Sequence, residues 1–209
     1  AFVDTGCGVW PMYGREMKDH NWRRGGYGML KLPQTLWVSS NIGVSRIIDD
    51  RFKDNPEKYV QGIRRLGLAD DLHLPIPGYS PAKIRMPRKD SRGKQYVNWS
   101  KTTLPWMSIG YETQVPPIST LTFYNAIANG GKMMRPRFVK EVRKNGQVIM
   151  TFPPEVVREQ IAKPTTINKI TRILEQVVSV GLGKKAGSPS FLVAGKTGTA
   201  QISKGAAGY

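Results

Sequence analysis

The sequence predicts a chain of the α+β class, in which helices and short strands alternate without repeats. Two observations predict it. Apolar residues recur at helical spacing in several separate segments, and Asn145-Gly146 stands between two β-prone runs, the strongest short hairpin signal. Apolar residues make up 39% of the 209, enough for one domain with a hydrophobic core or for a piece of a larger one.

Residues 1–32 are rich in Gly, Trp and charge and read as irregular. Pro33 suits the first turn of a helix, where its missing N–H costs nothing. Leu36, Trp37, Val44, Ile47 and Ile48 follow at roughly helical spacing, but Ser39-Ser40-Asn41 interrupts them. Two helical pieces are therefore expected, with the polar break at their junction. A helix over about 56–66 starts near Pro56, carries Tyr59, Val60 and Ile63 on one side, and stops at Gly67. Residues 70–116 show no clear periodicity and are punctuated by Pro75, Pro77, Pro81, Pro87 and Pro105. A loop that long in a compact domain is usually functional or mobile. Asp70-Asp71 reads as a turn after Gly67.

Ile118, Leu121, Tyr124 and Ala128 predict a helix from about 117, ended by Gly130-Gly131. The hairpin joins Phe138–Val142 to Gln147–Met150. Thr165 or Thr166 could cap a last helix whose stripe of Ile167, Ile170, Ile173, Leu174, Val177 and Val178 faces a core. Phe191-Leu192-Val193-Ala194 is a candidate buried strand running into Gly195-Lys196-Thr197-Gly198-Thr199.

The formal net charge is +17, from 32 basic and 15 acidic residues. So basic a balance favours anionic partners. The basic residues are scattered in small groups, however, without interleaved aromatics or a zinc-finger, RRM or KH signature. We read them as a solvated surface and expect no nucleic-acid partner. The one cysteine, Cys7, cannot form an intrachain disulfide and reads as a small buried or half-buried residue. No residue pattern calls for a metal or cofactor. His20 and His73 lack ligand spacing.

Two short motifs could carry chemistry. Lys-Thr-Gly at 196–198 supplies a positive charge, a hydroxyl and a residue without side chain, beside which an extended peptide can lie. Thr199 adds a second hydroxyl, and lysine with two hydroxyls suits a terminal carboxylate. Ser39-Ser40-Asn41 has the Ser-x-Asn pattern. In a tight turn its hydroxyl can relay a proton while its amide binds a carbonyl. Each motif alone has a bland alternative, an exposed loop for the first and a helix cap for the second.

Together, and in this order, they are two thirds of the motif set of serine penicillin-recognising enzymes. Flanking residues extend the match. Gly26-Tyr27-Gly28, Ser39 to Val44, Ser108-Ile109-Gly110-Tyr111-Glu112, Pro116 to Leu121, Ala126 to Gly131 and Ala194 to Gln201 resemble the corresponding segments of class B penicillin-binding proteins. The division-specific, FtsI-type branch is the most similar.

The resemblance implies an α+β fold with helices packed on an antiparallel sheet, incomplete in residues 1–209. The family's nucleophile lies in a Ser-x-x-Lys motif upstream of Ser-x-Asn, and none stands between residue 1 and Ser39. The chain is therefore expected to be a partial transpeptidase domain, inactive alone, lacking the serine segment and the C-terminal strands. Residues 195–209 are expected to be poorly ordered or paired outside the chain.

By the same resemblance the parent enzyme is a peptidoglycan D,D-transpeptidase. Its serine attacks the carbonyl between two terminal D-alanines of a stem peptide. Ser39, Asn41 and Lys196 are the implied catalytic residues, and Thr197, Gly198 and Thr199 bind substrate. Stem peptides and β-lactams are the implied ligands, with divisome membrane proteins including a glycan polymerase as partners. The location is the outer face of the cytoplasmic membrane, reached through an anchor elsewhere. Two alternatives are a β-lactamase or β-lactam sensor domain, and a non-catalytic basic binding or scaffold module.

Overall fold

The computed structural model of the chain describes residues 1–199. Its first 31 residues depart from expectation, because they hold four short strands: β1 (Phe2–Asp4), β2 (Val9–Met12), β3 (Arg15–Lys18) and β4 (Met29–Lys31). β1 pairs antiparallel with β4, which sets the buried Val3 opposite the buried Leu30. β2 and β3 form a hairpin. Its turn places Tyr13 at φ 52° and Gly14 at φ 82°, the two left-handed conformations of a type I′ turn. Tyrosine is an unusual residue there, and strands of three or four residues carry too few alternations to be read.

α1 (Leu32–Trp37) and α2 (Asn41–Phe52) flank the Ser39-Ser40 break, as the spacing predicts. α3 (Pro56–Arg65) is capped by Asn55, whose side chain accepts from the Lys58 N–H. The proline-rich stretch is less featureless than its sequence. It holds the pair β5 (Lys83–Ile84) and β6 (Thr113–Gln114), and between them α4 (Thr103–Ser108), which buries Leu104 and Met107 and packs on α2. One turn and a half is too short for a readable period.

α5 (Pro117–Ala128) stops at Gly130 and Gly131, which take φ 66° and 104°. β7 (Met133–Met134) pairs with β10 (Val156–Arg158). The hairpin between them, β8 (Glu141–Lys144) and β9 (Gln147–Thr151), turns at Asn145-Gly146 with φ 50° and 80°, as predicted. α6 (Pro164–Ser179) starts one residue before the expected caps. Lys163 precedes it without a side-chain cap, and Pro164 with its fixed φ opens the first turn, so Thr165 and Thr166 lie inside the helix.

Helices and antiparallel pairs make this an α+β fold. Among the described residues the strands form five two-stranded pairs rather than one continuous sheet. Three apolar clusters bind the layers. Ala126, Ile127 and Met133 meet Ile161, just ahead of α6, and Ile167 and Leu174 of the α6 stripe. Val60, Ile84 and Met107 join α3, β5 and α4. Ile42, fully buried, packs on Met12 and Met17 of the β2–β3 hairpin. Burying such a side chain contributes about 2 kcal/mol, and this one fixes the first turn of α2 beneath that hairpin.

Two further readings need correction. Cys7 is exposed. The inner side of its turn is filled by glycine backbone, where a Cβ on Gly26 would come within 2.2 Å of the Cys7 carbonyl carbon. Phe191-Leu192-Val193-Ala194 is no buried strand: Phe191 and Leu192 are 69% and 82% exposed. Residues 191–199 pair with no strand among the described residues. Asp70 does stand in the turn after Gly67, and its carboxylate also takes a forked ion pair from Arg158, with Nη2–Oδ1 at 2.8 Å. No helix among the described residues is long and apolar enough to cross a membrane.

Candidate active site

The break between α1 and α2 is a tight, hydrogen-bonded turn. The Ser39 N–H donates to the Leu36 carbonyl at 3.3 Å, and the Ser40 N–H donates to the Thr35 carbonyl at 2.9 Å. Ser39 itself sits at φ 51°, a left-handed conformation that costs a non-glycine residue roughly 1 kcal/mol or more. That cost persists because neighbouring groups fix the turn.

Ser40 is the N-cap of α2. Its Oγ accepts from the Gly43 N–H at 2.9 Å and donates to Asp19 Oδ2 at 2.6 Å. The other oxygen of Asp19 accepts from the Ile42 N–H at 3.0 Å. One residue earlier, the Lys18 carbonyl accepts from Asn41 Nδ2 at 3.0 Å. The end of β3 thus holds the three residues that follow Ser39. Gly43 completes the fit, because a Cβ there would stand 2.7 Å from the Thr35 methyl. Glycine here permits close approach of α1 and α2 rather than an unusual φ.

Lys196 reaches this turn by way of α6. Beyond the C-terminal end of that helix the Leu182 N–H donates to the Trp37 carbonyl at 3.0 Å, tying it to the end of α1. A Cβ on Gly181 would lie 2.4 Å from the same oxygen, so no side chain fits. Within the helix itself, the Leu174 carbonyl accepts from the Gly195 N–H at 3.2 Å. α6 therefore holds both the end of α1 and the start of the Lys-Thr-Gly segment.

The result is direct contact between the two motifs across 157 residues: Lys196 Nζ donates to Ser39 Oγ at 2.7 Å. The same amine lies 3.0 Å from the Thr197 carbonyl and 3.3 Å from Thr197 Oγ1. Burial pushes the Lys196 pKa below the usual lysine value. Among the described residues no carboxylate pairs with it. A desolvated ammonium without a counter-ion gives up its proton more readily, and a serine hydroxyl in contact with it can relay that proton.

Of the sequence-predicted residues, Ser39, Lys196 and Thr197 are brought together. Asn41 lies two residues from Ser39 and spends an amide hydrogen on the Lys18 carbonyl. Gly198 and Thr199 are exposed, and open space surrounds the position of a Gly198 Cβ. Ala200, Gln201 and the rest of the expected 195–209 contact lie outside the described residues. Among the described residues no cluster of His, Cys, Asp and Glu could hold a metal.

The sequence reading missed Asp19. It is 1% exposed, yet nothing in the local sequence marks a lone aspartate after a short strand. Two Ser-x-x-Lys spacings do occur downstream, at Ser80-Pro81-Ala82-Lys83 and Ser91-Arg92-Gly93-Lys94. Both serines are exposed and outside helices, and the hydrogen bonds of Ser39 and Lys196 reach neither.

An α+β frame that seats a Ser-x-Asn turn between two helices and brings a Lys-Thr-Gly lysine onto its serine defines the serine penicillin-recognising class. Within that class the chain belongs to the penicillin-binding protein transpeptidase family, whose domain model matches residues 6–209. Its relatives include class B members. The chain is similar to the peptidoglycan D,D-transpeptidase FtsI homolog of Mesostigma viride, at 26% identity over 196 residues, or 86% of this chain. It spans 31% of that relative's length. Its fold is similar to the apo transpeptidase domain of Burkholderia pseudomallei penicillin-binding protein 3, with a TM-score of 0.76 and 27% identity. That match covers 100% of this chain and 56% of the other. Penicillin-binding protein 3 of Mycobacterium tuberculosis, solved with ampicillin, matches with a TM-score of 0.74 and 25% identity over 100% of this chain and 44% of its own.

Proposed function

We propose that this chain is part of a peptidoglycan D,D-transpeptidase and forms two walls of its active site. The 2.7 Å contact between Lys196 Nζ and Ser39 Oγ carries the reading. The acylating serine belongs to a Ser-x-x-Lys segment outside residues 1–209, so this chain is a partial transpeptidase domain. That serine attacks the penultimate carbonyl of a stem peptide. Ser39 passes a proton to the leaving D-alanine amine, supplied through Lys196. The Asn41 amide holds the acyl-side peptide. Thr197 and Thr199 hold the terminal carboxylate, with Gly198 leaving room for the extended substrate. The Thr199 N–H lends one donor of the oxyanion hole. An amine from a neighbouring stem peptide then takes the acyl group, and a cross-link forms. A β-lactam acylates the same serine and stays.

The mycobacterial relative bound to ampicillin supports the β-lactam part of this reading. The FtsI-type relative supports a place in wall synthesis during division. The enzyme would then work on the outer face of the cytoplasmic membrane, held by an anchor outside this chain, beside divisome proteins and a glycan polymerase.

The test is labelling by a fluorescent penicillin of the protein with its complete transpeptidase domain. One serine ahead of residue 1 should be acylated, and residues 1–209 alone should not label. Labelling at Ser80 or Ser91, or none in the complete domain, would overturn the reading.

A further inference from the structure

We infer that Asp19 is a positioning residue for the reaction: its buried carboxylate holds Ser39 in the left-handed turn that presents the serine hydroxyl to Lys196. The inference rests on the transpeptidase reading for its kinetic consequence, and on geometry alone for its structural one.

Asp19 is 1% exposed, and among the described residues no cation pairs with it. A buried carboxylate without a cation is costly unless its oxygens accept strong hydrogen bonds. Here both oxygens are used, and both donors belong to the residues just after Ser39. One is the Ser40 hydroxyl at 2.6 Å, the other the Ile42 N–H at 3.0 Å. Hydrogen bonds to a charged acceptor are shorter and about twice as strong as neutral ones. The carboxylate is itself anchored through its backbone. Its N–H donates to the Gly8 carbonyl at 3.0 Å, and its carbonyl accepts from the Trp22 N–H at 3.1 Å. Ser39 thus lies between α1, which fixes its N–H, and a cap clamped from below by Asp19.

The donor pattern makes the acceptor specific. Ser40 Oγ already accepts from the Gly43 N–H, so its own hydrogen must go to an acceptor. The Ile42 N–H also needs one. A carboxylate satisfies both. An amide cannot, because its NH2 end must face either the Ser40 hydroxyl or the Ile42 N–H. Asp19→Asn therefore exchanges one oxygen for an NH2 and leaves either the Ser40 hydroxyl or the Ile42 N–H without its acceptor.

The experiment uses the protein with its complete transpeptidase domain and measures second-order acylation by a fluorescent penicillin. Asp19→Asn should slow acylation about tenfold to hundredfold, the loss expected when a charge-assisted hydrogen bond fails. Asp49→Asn is the control. Asp49 is likewise buried on α2, but it accepts from the Tyr13 hydroxyl at 2.6 Å, away from the turn. It should lower the melting temperature while leaving acylation near wild type.

The deciding readout is a double-mutant cycle with Ser39→Ala. If Asp19 acts by placing Ser39, Asp19→Asn costs little more once the Ser39 hydroxyl is gone. Losses that multiply independently would overturn the proposal, as would an unchanged rate in Asp19→Asn. A crystal structure of Asp19→Asn gives a second readout. It should show Ser39 away from φ 51° and its contact with Lys196 opened, and an unmoved turn would refute the proposal. If the wild-type domain fails to acylate, the transpeptidase reading falls and the crystal structure alone decides the role of Asp19.

Discussion

The two halves of the site are held in different ways. The Ser39 turn is gripped by α1, by the end of β3 and by its own cap, so each residue from Ser39 to Gly43 has a backbone or side-chain partner that fixes it. Among the described residues, the Lys196 segment is held by one backbone bond to Leu174 and by its own amine on Ser39. The turn is the more firmly held partner, and the lysine docks on it. Substitutions in the first region should therefore change stability and chemistry together. Those in the second should change chemistry nearly alone.

Lys196→Ala gives the largest separation. Removing a proton-transfer group typically costs about 10²–10⁴-fold in rate. Penicillin acylation of the complete domain should fall by that order, while calorimetry finds the melting temperature within a few degrees of wild type. Unchanged acylation would remove Lys196 from the mechanism. A collapse of the melting temperature would show that the Lys196 segment supports the fold after all.

Gly43→Ala probes the opposite region. The new Cβ would meet the Thr35 methyl at 2.7 Å and Ser40 Oγ at 3.1 Å. Overpacking of this kind costs about 1–3 kcal/mol, and each kcal/mol lowers the melting temperature by roughly 2–4 °C in a chain of this size. Acylation should fall in parallel, since the clash pushes on the cap. Lost activity with intact stability would mean that the turn is not the more firmly held partner.

This contrast explains how much the sequence revealed. Ser39, Asn41 and Lys196 were legible as candidates because their side-chain types match a known motif set in order and spacing. The two-helix junction was legible because a polar triplet broke an apolar period. Asp19 was not, since its importance comes from burial, and burial depends on where β3 ends in space rather than on neighbours in sequence. The strands before residue 32 were hidden for a related reason. Each is three or four residues long and is stabilised by a partner up to 29 positions away, as in Phe2 opposite Lys31. Phe191 to Ala194 failed in the other direction: an apolar run looks like a buried strand, but burial needs a partner, and the described residues give it none.

A weaker effect follows from the direction of the Lys196 shift. Burial lowers its pKa in the folded state relative to about 10.4 for a free lysine. The unfolded chain then binds more protons between the lowered value and the free one, so stability rises with pH across that window. Below it the folded state carries the full cost of a half-buried ammonium. Lys196→Met should therefore be slightly more stable than wild type at neutral pH, with the advantage shrinking as pH passes through that window. Melting curves of the two proteins at a series of pH values measure it. A Met variant less stable at pH 7 would mean that the hydrogen bonds to Ser39 and Thr197 outweigh desolvation.

Asn41 has an amide that serves the turn and is proposed to serve the substrate as well. Its Nδ2 donates to the Lys18 carbonyl at 3.0 Å in a partly exposed position, a bond that contributes about 0.5–1.5 kcal/mol at most. Asn41→Ala should therefore lower the melting temperature by only a few degrees. Asn41→Asp should lower it further, because a carboxylate oxygen then faces the Lys18 carbonyl with no hydrogen between them. Acylation tells the two roles apart. If Asn41 serves only the turn, activity should follow stability, and Ala should be the milder change in both. If its amide also holds the acyl-side peptide, Ala and Asp should be comparably slow despite unequal stability, since neither retains the amide donor that a substrate carbonyl requires.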